Sequence, residues 1–131
     1  MLQKVFICAR VGAHTLEQFE KNQKRMASFA RFVLWKGYEP EATGIYYCRF
    51  LNDFKPEERE IGMRQGIERL KECKEIWVFP NEDGSYSSGM LREIEIVSGT
   101  KVQLKIIDLK EVEEFLKNCD PYGYELLQKS K

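Results

Sequence analysis

Apolar residues fall into two alternating patterns along this chain. Short runs stand at residues 4–9 (KVFICA) and 75–79 (EIWVF), and a third, at 101–107 (KVQLKII), alternates before turning apolar. Runs without a polar face are what strands covered on both sides of a parallel sheet require. Between them, apolar positions recur every three or four residues, the spacing of helices with one buried face. The stripe Leu16, Phe19, Met26, Phe29, Ala30 and Val33 predicts a long helix, opened by Thr15 and Gln18 as a capping box and closed by Gly37. Gly62, Met63, Gly66, Ile67, Leu70 and Cys73 predict a second, with Pro56 in its first turn and Glu57, Glu58 and Glu60 at its positive end. Asp108 and Glu111 open a last one over 109–118, amphipathic through Leu109, Val112, Phe115 and Leu116. A further strand is expected within 38–47, near the sheet edge, where Pro40 and Gly44 interrupt the pattern.

Strands alternating with helices imply an α/β fold. It should have three layers and a mainly parallel sheet of about four or five strands, Rossmann-like or flavodoxin-like in order. We expect a single such domain over 1–118 and a C-terminal tail over 119–131, where Asp120, Pro121 and Gly123 break the chain. Gly62 and Gly66 weaken their helix relative to alanine, so a close backbone approach to the sheet or to a second subunit should compensate.

Composition narrows the partners. Lys plus Arg and Asp plus Glu number 21 each, so no global field draws in nucleic acid or an acidic membrane surface. Small molecules or proteins are expected instead. Cys8, Cys48, Cys73 and Cys119 form no CxxC and have only His14 for company, which signals neither a zinc site nor a disulfide framework. Neither a metal nor a cofactor is expected, and no GxGxxG or Walker A loop is present. No apolar run approaches a membrane span, and residues 1–10 lack a signal-peptide core, so a cytoplasmic location is expected.

The chemistry concentrates after the run at 75–79. Pro80, Asn81, Asp83, Gly84 and Ser85 are turn formers, and Ser87, Ser88 and Gly89 then stand at the mouth of a helix. The unpaired N–H groups of a first helical turn suit an anion. Glu93 follows one turn further in, at the edge of the apolar face of Met90, Ile94 and Val97, and is therefore expected to be half-buried beside the loop. Its plainer reading is a surface or capping carboxylate. Arg10 follows the carboxyl end of the first strand, where ligand contact and a solvated loop cation are both open readings. His14 reads as a residue of the helix start.

These pieces carry a resemblance. The turn KGYEP at 36–40, RFLNDFKPEEREIGM at 49–63, CKEIWVF at 73–79 and SSGMLREIE at 87–95 are similar to those of small proteins, many from phages and their hosts, in the nucleoside 2-deoxyribosyltransferase-like superfamily. The resemblance extends to about Asp108. In the better-known members a glutamate in a Ser-x-Gly-x-x-x-Glu pattern attacks the anomeric carbon of the sugar, and Ser87, Gly89 and Glu93 keep that spacing. It thus implies a protein that binds nucleosides or nucleotides and cleaves or transfers across an N-glycosidic bond. Glu93 would be the nucleophile, and Ser87, Ser88, Gly89 and Arg10 would hold the substrate. It also implies self-association, with Tyr122 and Tyr124 within reach of a neighbour's pocket. The first loop departs from the family's Ala-Ser-Pro-Tyr-like pattern, having Arg10, Val11 and Gly12 after Ala9. For the acid that serves the leaving base, Asp53 and Glu57 are the nearest candidates. A non-catalytic nucleotide-binding or interaction module stays open beside the enzyme.

Overall fold

The computed structural model describes residues 2–131. In chain order the elements are β1 (Lys4–Cys8), α1 (Leu16–Trp35), β2 (Glu39–Glu41), α2 (Thr43–Tyr46), a 3-10 turn (Tyr47–Arg49), α3 (Pro56–Lys71), β3 (Glu75–Val78), α4 (Ser88–Val97), β4 (Gln103–Ile106), α5 (Leu109–Cys119) and α6 (Pro121–Lys129). The four strands form one parallel sheet in the order β2-β1-β3-β4. This is the three-layer α/β arrangement that the strand–helix alternation predicts.

The lack of alternation in β1 and β3 has a direct cause. Val5, Ile7 and Trp77 face a core built with α1, α5 and α6, whereas Phe6, Cys8, Ile76 and Val78 face one built with α3 and α4. Both faces are dry, so every position must be apolar. Phe29 of α1 stacks on Phe79 just beyond β3, with ring centroids 4.2 Å apart, and Phe32 packs edge-on against Phe79 and Phe115. Such pairs add about 1 kcal/mol each beyond the area they bury.

Particular elements differ from the sequence reading. Leu16 is 63% exposed, because the buried residues of α1 begin only at Asn22 and its first turn lies outside the core. The segment 38–47 gives only three residues of strand before turning helical, and Gly44 there sits where a Cβ would come 2.7 Å from Met26 and Val11. β2 is one edge of the sheet, as expected, and β4 is the other, with Leu104 and Ile106 41% and 60% exposed. Residues 121–129, read as part of a tail, fold as α6 and pack on α1, with Leu127 in the core. Tyr124 packs against that same core, and Tyr122 lies under the Arg31 guanidinium, 4.8 Å from its ring centroid. Both tyrosines are thus engaged within their own chain.

The strand order fixes where a site can form. The chain leaves β1 toward β2 on one side and returns to β3 on the other, so the connections after β1 and β3 diverge and open a crevice above their carboxyl ends. Among the described residues no helix is long and apolar enough to cross a membrane.

Candidate functional site

The loop after β3 is built to present the start of α4. Gly84, at φ +84°, turns the chain where other residues would be strained, and its N–H donates to the Asn81 carbonyl at 2.8 Å. Asp83 accepts from the Ser85 N–H at 3.0 Å and from its hydroxyl at 2.6 Å. Ser87 is then the N-cap of α4, its Oγ accepting from the Met90 N–H at 3.3 Å. Ser88, the first residue of the helix, is exposed, and its hydroxyl takes part in no protein hydrogen bond among the described residues.

One turn on, Glu93 lines a mostly apolar cleft with Ala9, Met63, Gly89 and Met90. Burial pushes its carboxyl up to about 7, against the opposing influence of the Cys8 thiol and the Arg92 guanidinium. Cys8 is itself fully buried at the end of β1, and desolvation together with the neighbouring Glu93 charge drives its thiol far above the ordinary range. It is therefore a neutral thiol, unlike the exposed, activated cysteines of nucleophilic sites. Arg92 is turned away to form a two-pronged pair with Glu60 of α3, at 2.9 and 3.0 Å.

The far wall comes from the segment leading into α3. Asp53, Glu58 and Arg59 all line the cleft. Arg59 Nη1 lies 3.2 Å from Asp53 Oδ2, and burial raises the Asp53 carboxyl although Arg59 pulls the other way. Glu58 accepts from the Asn52 N–H at 3.0 Å. Of the two acids offered by the sequence, Asp53 thus reaches the cleft, whereas Glu57 is exposed and does not line it.

Arg59 also lines an adjoining groove with Arg10, Gly12, His14, Ser87 and Ser88. A Cβ on Gly89 would lie 3.9 Å from its Nη2. The guanidinium therefore stands between the carboxylate end of the site and the helix-start end. Arg10 belongs to the groove and not to the Glu93 cleft, and its Nε donates to the Gly12 carbonyl at 3.2 Å. The sequence-expected residues accordingly split: Gly89 and Glu93 in the cleft, Arg10, Ser87 and Ser88 in the groove. Sequence reasoning missed Arg59, yet a signal existed. It stands three residues before Gly62 and four before Met63, extending that buried stripe by one turn.

Comparison with known proteins gives a family and a similar solved structure. Residues 3–107 match the family model described as Domain of unknown function (DUF7768). No curated protein matches the chain. Among solved structures, the CMP N-glycosidase BcmB of Clostridium botulinum aligns over 92% of this chain and 99% of its own, at 20% identity and a TM-score of 0.45.

Proposed function

Taking as premise that this chain belongs to the DUF7768 family, we propose that it is a nucleoside 2-deoxyribosyltransferase-like protein that binds nucleosides or nucleotides and acts on their N-glycosidic bond. The observation that carries this reading is Glu93: a carboxylate half-buried in an apolar cleft, one turn from a helix start that offers Ser87 and Ser88. An apolar wall suits a base and sugar, and the helix start suits a 5′ hydroxyl or phosphate. In the reaction, a Glu93 oxygen bonds to the anomeric carbon as the C–N bond breaks. The electron pair leaves with the base, which takes up a proton. Asp53, raised by burial and lining the same cleft, is our candidate for the proton's source. Water, or a second base, then displaces the glycosyl ester and frees Glu93.

A non-catalytic nucleotide-binding module is the second reading, and one feature favours it. The other acids of the cleft are engaged, Asp53 by Arg59 and Glu58 by the Asn52 N–H. Self-association belongs to either reading, since Ile61 of α3 and Leu91 of α4 are 49% and 52% exposed beside the Arg92–Glu60 pair. Light scattering at micromolar concentration should show more than a monomer.

Chromatographic assay of free base, over nucleosides and their 5′ monophosphates, tests the enzyme. Wild type should release base, and Glu93→Gln should lower the rate by about a thousandfold or more while ligand affinity survives. Ligand binding without base release would establish the module instead. Release that persists in Glu93→Gln would remove Glu93 from the chemistry.

A further inference from the structure

The groove that holds Ser87 and Ser88 does not end at Arg10. Arg10, Asn81 and Ser85 line it and also line a second groove on the α1 side of the sheet, together with Lys21, Asn22 and Arg25. Arg59 lines both the first groove and the Glu93 cleft, so the three concavities adjoin one another in a broken trough over the carboxyl ends of β1 and β3, with its guanidinium between cleft and groove.

Arg25 stands at the far end of that trough and is 8% exposed. Its guanidinium lies over the Phe29 ring, 4.7 Å from the centroid, and Nη2 donates to the Pro80 carbonyl at 2.8 Å. No carboxylate lies within ion-pairing distance of it among the described residues, although a buried cation ordinarily has such a partner; the acid whose charge acts on it is Glu82, on the wall of the same groove. Among the described residues every buried side-chain nitrogen and oxygen has a partner, so the Arg25 nitrogens that make no hydrogen bond keep some exposure, and Arg25 lines the groove. Arg10 is likewise held only by a backbone carbonyl, and Lys21 has a single long contact, 3.8 Å to Glu17. Lys131, also on the wall, is taken up by Glu113 at 2.8 Å. Two acids stand on the wall as well. Glu82 is exposed, and Asp83, which feels the Arg10 charge, accepts from the Ser85 N–H and hydroxyl. The groove thus holds a nearly buried guanidinium with spare donors, flanked by two further cations, at the end of a trough that starts at Glu93.

We propose that Arg25, with Arg10 and Lys21, forms a second anion site, and that the ligand of this protein is a nucleotide with a pyrophosphate linkage. On this view the nucleoside end occupies the Glu93 cleft, the first phosphate sits at the start of α4, and the second reaches Arg25. Arg10, which lines both grooves, spans the two phosphates. The planar guanidinium fork suits paired phosphate oxygens, which a lysine at that place would meet only as a point charge. The proposal rests on the nucleotide reading of the cleft, and its test separates the two.

Isothermal titration with inorganic phosphate, inorganic pyrophosphate, and the 5′ mono- and diphosphates of one nucleoside reads the second site directly. Pyrophosphate should bind at least about tenfold tighter than phosphate, and the diphosphate at least about tenfold tighter than the monophosphate. Arg25→Gln should erase both differences. Because Arg25 also packs on Phe29, that variant can fail to fold; Lys21→Glu, on a solvated face of α1, then decides alone and should cut both ratios at least threefold. Equal affinities within each pair overturn the second site, and base release from the monophosphate in the same preparation would leave the glycosidic reading standing. Pyrophosphate binding that Lys21→Glu abolishes, with no nucleotide bound, retains the anion site and overturns the nucleotide ligand.

Discussion

Arg59 is pressed against Gly12: a methyl group at Gly12 would overlap its guanidinium. The backbone at Gly12 is not in the left-handed region, where among the described residues only Gly37 and Gly84 lie, so it is space and not torsion that calls for glycine here. The contact lets a cation from α3 reach across the first loop, held from behind by Asp53 at 3.2 Å.

Gly12→Ala should therefore displace the Arg59 guanidinium and loosen its pair with Asp53. Stability should fall by about 1 kcal/mol, the range for disturbing a partly buried pair and not that of an ordinary surface substitution. The affinity of phosphorylated ligands should fall by about tenfold, the worth of one charge-assisted contact. Thermal melts and titration on the same preparation check both halves. An unchanged affinity would mean that Arg59 does not meet the ligand.

Glu93 and Cys8 make a prediction in pH. The folded carboxyl, raised to about 7, binds a proton more tightly than the unfolded one, near 4.3. Glu93 therefore withdraws stability as pH rises from about 4 to about 7, and Glu93→Gln should raise the melting temperature more at pH 8 than at pH 5. A nucleophile must be ionised, so kcat/KM should climb through about pH 7. Cys8 favours the charged form; Cys8→Ala should move that limb upward, whereas Cys8→Ser, which keeps a donor, should not. A limb indifferent to both variants would place the titration elsewhere.

The sequence shows the layers of this fold clearly because β1 and β3 are buried on both faces and leave no polar position to blur the pattern. The capping residues are equally legible: Thr15 accepts from the Gln18 N–H at 3.1 Å, and Asp108 caps α5 by accepting from the Lys110 N–H at 3.0 Å. Periodicity is blind, however, to how far an element extends past its neighbours, which is why Leu16 reads as buried and is not. It is equally blind to contacts between distant segments. Arg59 against Gly12 joins residues 47 positions apart, and Arg25 against Pro80 joins residues 55 apart. Glu93 could be placed beside the start of α4 from the sequence because Ser87 and Gly89 lie within two helical turns of it.

Asp120 anchors the last helix. Its carboxylate accepts from Arg31 Nε at 2.7 Å and Nη2 at 2.8 Å, and from the Trp35 indole at 3.1 Å, while itself 4% exposed. The Arg31 hydrogen bonds hold its carboxyl below the usual range. Asp120 thus contributes stability that is present above the unfolded value near 3.9 and is lost as pH falls through the folded value. Asp120→Asn should cost about 2 kcal/mol at pH 7, below the full penalty for a buried pair because Arg31 stays about a third exposed. At acid pH below the folded value the variant and wild type should converge. Urea unfolding at the two pH values measures it, and a constant gap would show that shape, not charge, anchors α6.

The last prediction separates capping from ligand binding at Ser87. Its hydroxyl already accepts from the Met90 N–H, so Ser87→Ala should cost about 1 kcal/mol of stability whether or not a ligand is ever bound there. Ser88→Ala touches no such bond and should leave the melting temperature unchanged. Ser87→Asp keeps an oxygen for the cap, and its charge is favourable at the positive end of α4, so the fold should be as stable as wild type or slightly more so. The same charge would repel a phosphate. If α4 holds the phosphate of a nucleotide, Ser87→Asp should bind a 5′ monophosphate at least about tenfold more weakly while losing little affinity for the parent nucleoside. Thermal melts and paired titrations of nucleoside and monophosphate supply the four numbers needed. Equal losses for both ligands would mean that the aspartate merely crowds the cleft. No loss for either would take the phosphate away from the start of α4, and leave Ser87 a cap and Ser88 without a role there.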